Sequence, residues 1–399
     1  MRILLLHNSY GRPSGEEVVI ASLGKMLRQH GHEVLHCERS SAELEKMRCG
    51  RVRAFFSGIW NPLARRDFAA FLRGAQPDVV HVHNVYPLLS PSVLGVCTAQ
   101  GVPLVMTVHN FRLSCPNGLL LSHGENCHRC LGGKEWWCVL RNCERSLAKS
   151  LGYAIRTLVA RRMRSFYTHV DQFVCLTEFQ RQLLVREGLP ESRSSVIPNP
   201  TATSSRLGYG TASSGSYVAY VGRISPEKDV GTLLAAAARL PGIPFRLAGG
   251  YDRMPELVSQ APRNVCFVGH LDKAGLEEFY GNARLLVFAT KCYEGFPTVL
   301  LEAMGYRLPI ICSCIGGLPE IVDGGRTGLL YEPGNVAELT ARIQELWGDP
   351  ARCQELGRQG RRKLEQEYAP ERLLERILEV YCAATERKSR RRPGVLGEA

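Results

Sequence analysis

The chain has 399 residues, of which 45% are hydrophobic and 22% charged, with a net charge of +12 and a pI near 9.1. This length exceeds what one hydrophobic core usually serves, so we expect two domains, and the composition is that of a globular protein. No apolar run of the sequence reaches the roughly 18 residues that a membrane-spanning helix needs, and the apolar core of the opening segment is too short for a signal peptide.

The cysteine content bears on the cellular compartment of the protein, and the net charge bears on its possible binding partners. Fifteen cysteines are scattered through apolar contexts, which without a signal peptide favours a reducing cytoplasm and thiols. The clustered basic residues fit an anionic membrane surface, nucleic acid, an anionic substrate or a merely solvated basic face. We therefore expect a cytoplasmic protein, with peripheral attachment to the inner face of a membrane as a further hypothesis.

In the first half of the chain, short apolar runs typical of buried strands alternate with helical patterns. The predicted strands are 2–7, 32–37, 78–83, 103–109, 172–177 and 194–198. The predicted helices between them are 16–30, 91–100, 147–168 and 177–188. This alternation indicates βαβ units and a parallel sheet.

The second half repeats this rhythm after a Ser/Thr/Gly-rich stretch at 201–216 with the composition of a linker. Its predicted strands are 217–222, 245–250, 265–270, 283–290 and 308–314. Its predicted helices are 229–240, 273–281, 298–305, 336–347 and 351–367. The predicted fold class is α/β, with two Rossmann-like doubly wound domains that face a cleft. The predicted division is an N-terminal domain at 1–200 with a cysteine-rich insert at 115–143, a C-terminal domain at 217–368, a helix at 369–388 that packs back toward the N-terminal domain, and a basic tail at 389–399.

The stretch "YEGFPTVLLEAMG" (293–305) places two glutamates eight positions apart around a Gly-Pro turn. It follows an apolar strand-like run, and its proline suits the first turn of a helix. Glu294 then lies in the loop and Glu302 on the second helical turn, where side chains lean toward the N-terminus. Both carboxylates would face the carboxyl end of a strand, where open α/β sheets bind ligands. Taken alone, the pattern fits a surface helix with acidic caps equally well.

Other polar residues also follow predicted strands. Arg223 and Lys228 lie after the strand at 217–222, and a guanidinium beside an ammonium suits a diphosphate, although two exposed loop cations would look the same. Gly15 follows the first strand, where a glycine lets the backbone approach a phosphate. His109 ends a buried strand, a place where a lone histidine is more often structural.

Four short motifs occur together in the second half of the chain. They are G-R-x-x-x-x-K at 222–228, E-G-F-P-x-x-x-x-E at 294–302, G-G-x-P-E at 316–320 and T-G-L-L at 327–330. In this combination, order and spacing the chain resembles the retaining GT-B glycosyltransferases of the large family four, over essentially its whole length. Each motif alone would be a weak signal.

The resemblance implies a role for each matched residue. Arg223 and Lys228 would hold the donor diphosphate and stabilise charge on the departing nucleotide, and Glu302 would accept hydrogen bonds from the ribose hydroxyls. Glu294 would grip the donor sugar, and His109 would contact that sugar near its reacting centre. The resemblance further assigns to donor binding Gly15, Gly222, Gly269, Gly295, Phe296, Pro297 and Thr298.

The activity implied by the resemblance is transfer of a sugar, with retention, from a nucleotide-diphosphate sugar to a glycan or lipid-linked acceptor in bacterial-type polysaccharide or glycolipid synthesis. The sequence has no Asp-x-Asp motif, consistent with a site without catalytic metal in which fixed cations and helix N-termini stabilise the leaving group. Two departures from the family pattern leave local roles open. Ser14 stands where paired glycines are common, and Asn110 follows the histidine in place of the common Asp.

The insert after His109 holds five cysteines, which are Cys115, Cys127, Cys130, Cys138 and Cys143. A Cys-x-x-Cys pair near further cysteines suits a structural zinc, although five thiols exceed the four ligands of a closed site. A redox disulfide and inert thiols remain alternatives. We expect this insert to shape acceptor binding rather than the chemistry.

The predicted helix after the insert combines apolar residues with Arg156, Arg161, Arg162 and Arg164. It fits a core-facing helix with a solvated basic face, and it also fits a helix that docks on anionic lipid. Such docking would suit a lipid-linked acceptor.

Two other functional classes would also account for some of these sequence features. A sugar-nucleotide epimerase would use the cleft without an acceptor, but the pairing of E-G-F-P with R-x-x-x-x-K argues against it. A nucleic-acid-binding protein would explain the charge and a zinc loop, but the sequence lacks the clustered aromatic platform that such a protein needs. We therefore expect no nucleic-acid partner.

Overall fold

The computed structural model describes residues 1–11, 14–47, 50–200, 215–252 and 254–390. Most of the predicted linker and of the predicted basic tail lies outside these described residues. The chain divides into two compact units. Unit 1 consists of the described residues of Met1–Leu119, His128–Pro200 and Pro370–Ala399, and unit 2 of those of Leu120–Cys127 and Thr201–Ala369.

Unit 1 is built on a six-stranded parallel sheet, as its apolar runs predict. The strands are β1 (Arg2–Ser9), β2 (Glu33–Ser40), β3 (Val79–Val82), β4 (Leu104–Thr107), β7 (Gln172–Cys175) and β8 (Ser194–Val196). Their order is β2-β1-β3-β4-β7-β8, and every neighbouring pair is parallel. All residues of β3 and β4 are buried, which is why these strands read as continuous apolar runs rather than as alternating ones.

The helices of unit 1 cover the two faces of this sheet. They are α1 (Gly15–Gln29), α2 (Glu43–Lys46), α3 (Gly50–Ile59), α4 (Pro62–Ala75), α5 (Leu94–Ala99), α6 (Trp136–Leu140), α7 (Leu147–Arg162), α8 (Ser165–His169) and α9 (Glu178–Arg186). The single helix predicted at 147–168 is divided into α7 and α8, because Arg164 adopts a left-handed conformation with φ of 49°. No predicted helix covers α2, α3, α4 or α6.

Unit 2 holds a second six-stranded parallel sheet. Its strands are β9 (Tyr217–Val221), β10 (Phe245–Ala248), β11 (Val265–Gly269), β12 (Ala283–Phe288), β13 (Ile310–Ser313) and β14 (Gly328–Tyr331). The order β11-β10-β9-β12-β13-β14 is that of a Rossmann fold. A short antiparallel hairpin, made of β5 (Leu121–Ser122) and β6 (Glu125–Asn126), also groups with unit 2.

Five of the seven described helices of unit 2 match the predicted helices closely, and the two short ones, at Pro255–Ser259 and Leu318–Ile321, are additional. The seven are α10 (Val230–Ala238), α11 (Pro255–Ser259), α12 (Lys273–Gly281), α13 (Thr298–Gly305), α14 (Leu318–Ile321), α15 (Val336–Gly348) and α16 (Pro350–Glu367).

At the carboxyl end of β10 the backbone comes very close to the end of β9. A Cβ on Gly249, whose φ is +148°, would lie 1.8 Å from the carbonyl oxygen of Gly222. Only glycine fits there, so the two strand ends can converge.

The last helix, α17 (Pro370–Arg390), groups with unit 1. Its buried residues Leu373, Ile377 and Tyr381 pack in one hydrophobic cluster with Ile3 and Val105 of the sheet. The Tyr381 hydroxyl also lies 2.8 Å from Nδ1 of His81 on β3. Among the described residues, no helix is long and apolar enough to cross a membrane.

Because α17 completes the core of unit 1, we predict that Ile377→Ala destabilises this unit by roughly 2–5 kcal/mol, as expected when a buried aliphatic side chain is truncated. Glu375→Ala is the matched control, since Glu375 is exposed on the same helix and should change the free energy of unfolding by at most about 0.5 kcal/mol. Urea unfolding curves measure both variants. Equal stability of the two would show that α17 does not contribute to the core.

Candidate functional site

The strand order of unit 2 predicts where a ligand binds. Strands β10 and β11 lie to one side of β9, and β12, β13 and β14 lie to the other, so the chain changes direction between β9 and β12. Open α/β sheets bind ligands at the carboxyl ends of the strands at such a switch point. Arg223 and Lys228 follow β9, while Glu294 follows β12, and all three therefore lie at this edge.

The central contact of this edge joins the Lys228 ammonium to Oε1 of Glu294 at 2.6 Å, with each side chain only 14% exposed. Thr290, which is fully buried, donates its hydroxyl to the same oxygen at 2.9 Å. The Cys292 thiol points to it as well, at 3.6 Å. Three donors thus fix the carboxylate through one of its two oxygens. Thr290 and Cys292 lie outside the motifs that predict the site, because both precede the E-G-F-P stretch.

Mutual attraction decides the charge state of this pair. Burial would raise the pKa of Glu294, but the charge and hydrogen bond of Lys228 outweigh it, and the pKa is lowered. Burial would likewise lower the pKa of Lys228, yet Glu294 and Cys292 leave it raised. Both groups are therefore ionised around neutral pH.

Arg223 has a different environment from Lys228. Its side chain is 64% exposed, and its guanidinium lies 3.3 Å from the carboxylate of Glu227, one turn further on. The predicted pair of phosphate-binding cations therefore combines a buried ammonium in a fixed position with a guanidinium that can reorient at the surface.

Glu302 lies on the second turn of α13, as predicted, and both of its oxygens accept a hydrogen bond. The Tyr280 hydroxyl donates to Oε2 at 2.8 Å, and the Thr298 hydroxyl to Oε1 at 3.3 Å. Burial raises the pKa of Glu302. Tyr280 is buried and stacks on Tyr306, with 5.3 Å between the ring centroids. Tyr280 was missed because it belongs to a different helix, α12.

The remaining predicted donor residues of unit 2 also lie at strand ends or in the loop before α13. Gly222 follows β9 with φ of +155°, and Gly269 ends β11 and accepts a hydrogen bond from the Gly249 amide at 2.7 Å. Pro297 caps the start of α13. Phe296 is buried, and Gly295 precedes it in the same loop.

In unit 1, His109 follows β4 and its Nε2 lies 2.9 Å from Nδ1 of His83, which follows β3. Burial lowers the pKa of His109 to about 3, so the ring is neutral. Gly15 begins α1, and a Cβ added there would meet nothing within 4 Å. The unexpected Ser14 before it is the N-cap of α1 and forms a capping box with Glu17.

The cysteine insert is divided between the units. Cys127 groups with unit 2, whereas the other four cysteines of the insert group with unit 1. The thiol of Cys138 hydrogen-bonds with Cys143, which raises its pKa, and Cys138 packs in a small cluster with Cys130 and Cys143. No group of three or more His, Cys, Asp or Glu side chains among the described residues is placed to hold a metal ion. A zinc site in the insert therefore stays a prediction without geometric support.

Of the four arginines predicted on the helix after the insert, Arg162 and Arg164 are exposed, whereas the other two are buried or paired. Arg156 is 7% exposed; its guanidinium donates to the carbonyl of Pro116 at 3.1 Å and stacks on Tyr86 and Tyr153. Arg161 forms an ion pair with Glu135 at 2.7 Å. These two arginines hold unit 1 together instead of facing solvent.

The ion pair of unit 2 generates a pH-dependent prediction. In Lys228→Met, Glu294 stays buried without its cation, so its folded pKa should rise above the unfolded value. The variant should lose roughly 3–5 kcal/mol at about pH 8 and less at about pH 5, because the penalty falls as the buried carboxyl becomes protonated and disappears only below the unfolded pKa. Urea unfolding at both pH values measures this, with the exposed Arg223→Met as control. A loss that is equal at both pH values would contradict the account.

Two family matches cover consecutive parts of the chain. Glycosyltransferase Family 4 matches residues 13–205, and Glycosyl transferases group 1 matches residues 208–363. Glycogen synthase of Mycobacterium tuberculosis is 35% identical over 174 residues, which are 41% of this chain and 42% of that protein. O-antigen chain mannosyltransferase B of Escherichia coli is 34% identical over 32% of this chain and 35% of that protein. The chain thus spans less than half the length of these curated relatives.

Solved structures show the fold. Sucrose-phosphate synthase of Thermosynechococcus elongatus matches with a TM-score of 0.71 and 20% identity over 96% of this chain and 98% of that one. HepE of Anabaena, in complex with UDP and glucose, matches with a TM-score of 0.65 and 18% identity over 96% and 99%. Both units thus have the parallel α/β architecture of GT-B enzymes, and with its two consecutive family matches the chain belongs to the family-four, group 1 glycosyltransferases.

Proposed function

We propose that the protein is a retaining glycosyltransferase that moves a sugar from a nucleotide-diphosphate sugar to a glycan or lipid-linked acceptor. The observation that carries the proposal is the buried Lys228–Glu294 pair at the carboxyl edge of the unit 2 sheet. Relatives support the substrate class. They include a glycogen synthase, an O-antigen mannosyltransferase and an α-galactosylglucosyldiacylglycerol synthase, and the HepE structures contain UDP, glucose or UDP-glucose.

Both Lys228 and Glu294 retain hydrogen-bonding positions that a nucleotide-sugar donor can occupy. An ammonium has three N–H donors, and Glu294 engages one of those of Lys228. The other two can meet diphosphate oxygens, and the exposed guanidinium of Arg223 can close on the same group. Because the described donors converge on Oε1 of Glu294, its second oxygen can accept hydrogen bonds from sugar hydroxyls.

The nucleoside would lie along the start of α13. Two vicinal ribose hydroxyls are donors that match a carboxylate, and Glu302 is the carboxylate at this point. The positive end of the α13 dipole favours the neighbouring phosphates. As the bond to the anomeric carbon breaks, the charge that develops on the leaving diphosphate meets Lys228, which Glu294 already holds in position. Arg223 adds its charge by closing on the same group from the surface.

We predict that Arg223→Ala and Lys228→Ala each reduce turnover by ~10²-fold or more, as expected for groups that stabilise developing charge. Release of nucleoside diphosphate from UDP-, GDP-, ADP- and dTDP-sugars measures turnover without knowledge of the acceptor. Lys273→Ala is the matched control, because Lys273 is 78% exposed in the same unit and pairs only loosely with Glu277 at 3.9 Å. Activity near that of the unmodified protein in both site variants would refute the assignment.

We further propose that unit 1 docks on an anionic membrane surface through exposed apolar side chains. Five of them, which we call the apolar patch, are 42–63% exposed: Phe56, Trp60, Leu63, Leu147 and Leu151. They lie on or beside α3, α4 and α7.

Packing of α3 against α7 brings the apolar-patch residues of these two helices together. The ring of Phe55 on α3 approaches Gly152 of α7 so closely that a Cβ there would meet it at 2.7 Å, and the exposed Phe56 and Leu151 are the sequence neighbours of these two residues. Exposed arginines accompany the apolar patch, namely Arg53, Arg65, Arg66 and Arg162. This combination of apolar and basic groups suits an anionic interface.

We predict that the protein co-sediments with vesicles containing anionic lipid at low salt and is released at high salt, since each basic residue near the surface contributes about 1 kcal/mol that salt screens. The double variant Phe56→Ser with Leu63→Ser should lose this binding. Val18→Ser, which changes an equally exposed apolar side chain on α1, should retain it. Equal sedimentation of all three proteins, or equal binding to neutral vesicles, would exclude the proposed surface.

A further inference from the structure

Thr290 is fully buried and lies just beyond the end of β12, between this strand and Glu294. Its hydroxyl is 2.9 Å from Oε1 of Glu294, 3.2 Å from the carbonyl oxygen of Glu227 and 3.4 Å from that of Cys292. A hydroxyl has one proton to donate. Of these three acceptors the carboxylate is the nearest and the one that carries a charge, so it takes the proton. Thr290 therefore gives Glu294 a hydrogen bond of defined direction.

The opposite side of the hydroxyl is also occupied. The backbone amide of Cys292 donates to the Thr290 oxygen at 3.3 Å. A hydroxyl that accepts from one side directs its proton toward the other, which reinforces the bond to Glu294.

The neighbouring strands hold the backbone of Thr290. Strand β12 ends at Phe288, and beyond it the Thr290 amide donates to the hydroxyl of Ser313 on β13 at 3.0 Å. Ser313 is fully buried as well, and its hydroxyl donates to the Tyr331 hydroxyl on β14 at 3.1 Å. A chain of hydrogen bonds thus runs from β14 through β13 to the loop that carries Glu294.

The residue after Thr290 is fixed from the other side of the sheet edge. The Lys291 amide donates to the carbonyl of Glu227 at 2.9 Å, and the Lys291 ammonium forms an ion pair with Asp229 at 2.9 Å. Asp229, which is buried, also accepts the Gly334 amide at 3.1 Å. The loops after β9, β12 and β14 are joined in this way, so Thr290 cannot shift without breaking several of these contacts.

Lys228 and Thr290 constrain Glu294 differently. An ammonium is a compact charge with three rotatable donors on a flexible stem, so Lys228 stabilises the ionised carboxylate over a range of orientations. A threonine side chain is branched at Cβ and restricted in χ1, and the backbone of Thr290 is anchored on both sides. Thr290 therefore determines where Oε1 lies and, with it, where the second oxygen of Glu294 points.

We propose that Thr290 is a positioning residue of the sugar transfer, which directs the second carboxylate oxygen of Glu294 toward the donor sugar. This inference rests on the proposed transferase function. Thr290 acts through Glu294 and touches no substrate itself. Since Lys228 and Glu302 hold the nucleotide part of the donor, loss of the Thr290 hydroxyl should impair turnover much more than donor binding.

Steady-state release of nucleoside diphosphate from UDP-, GDP-, ADP- and dTDP-sugars tests this role. Thr290→Val replaces the hydroxyl by a methyl group of similar size, and we expect kcat to fall roughly 10–100-fold, the scale of a misplaced group in an active site. KM should change by about threefold or less, because the interactions that bind the donor are retained.

Two further variants separate the hydroxyl from the general effects of a substitution. Thr290→Ser keeps the hydroxyl and should retain kcat within about threefold of the unmodified protein. Thr340→Val is the matched control, because Thr340 on α15 of the same unit donates its hydroxyl to the helix carbonyl of Val336 at 2.7 Å. It should leave kcat and KM unchanged.

Calorimetric titration of UDP, GDP, ADP and dTDP completes the test. Equal nucleotide affinity of Thr290→Val and the unmodified protein, together with the loss of kcat, supports the positioning role. Three results overturn it: a kcat of Thr290→Val equal to that of Thr340→Val, an equal loss in Thr290→Ser and Thr290→Val, or a nucleotide affinity that falls as far as kcat. Release of no nucleoside diphosphate by the unmodified protein is a different result, because it overturns the transferase function and the role of Thr290 with it.

Discussion

A carboxylate removed from water must be compensated, and in unit 2 this requirement organises the edge of the sheet. An unpartnered ion in such a place costs several kcal/mol. Glu294 avoids this cost through Lys228, Thr290 and Cys292, which all meet one of its oxygens. Because Lys228 follows β9 and Glu294 follows β12, their contact ties together the two loops on either side of the switch point. The position of α13, and with it Glu302, follows from the second of these loops.

The two units use the same topological position in different ways. In unit 2 the strand ends at the switch point carry full charges that are paired, which suits a polyanionic nucleotide sugar. In unit 1 the corresponding strand ends carry buried imidazoles, among them the paired His83 and His109, whose pKa values burial lowers.

The sequence predicts most of the sheets, because parallel strands buried on both faces leave apolar runs that are easily recognised. The motifs also identify Lys228, Glu294 and Glu302. Contacts between distant residues could not be predicted, since Lys228 and Glu294 are 66 positions apart and meet only because β9 and β12 are adjacent in the sheet. The same holds for Tyr280 beside Glu302 and for His83 beside His109. The burial of Arg156 could not be predicted either, because helical periodicity cannot distinguish an arginine on a solvated face from one enclosed by two tyrosines.

Calorimetric titration of nucleoside diphosphates tests most directly whether unit 2 is a nucleotide-sugar site. One of UDP, GDP, ADP and dTDP should bind the unmodified protein, and Glu302→Gln should weaken that binding by roughly 1.5–3 kcal/mol, the contribution of a hydrogen bond to a charged group. Glu256→Gln, at an exposed position of the same unit, should bind as tightly as the unmodified protein. Binding of no nucleotide to the unmodified protein, or equal binding by Glu302→Gln and Glu256→Gln, would contradict a nucleotide-sugar site in unit 2.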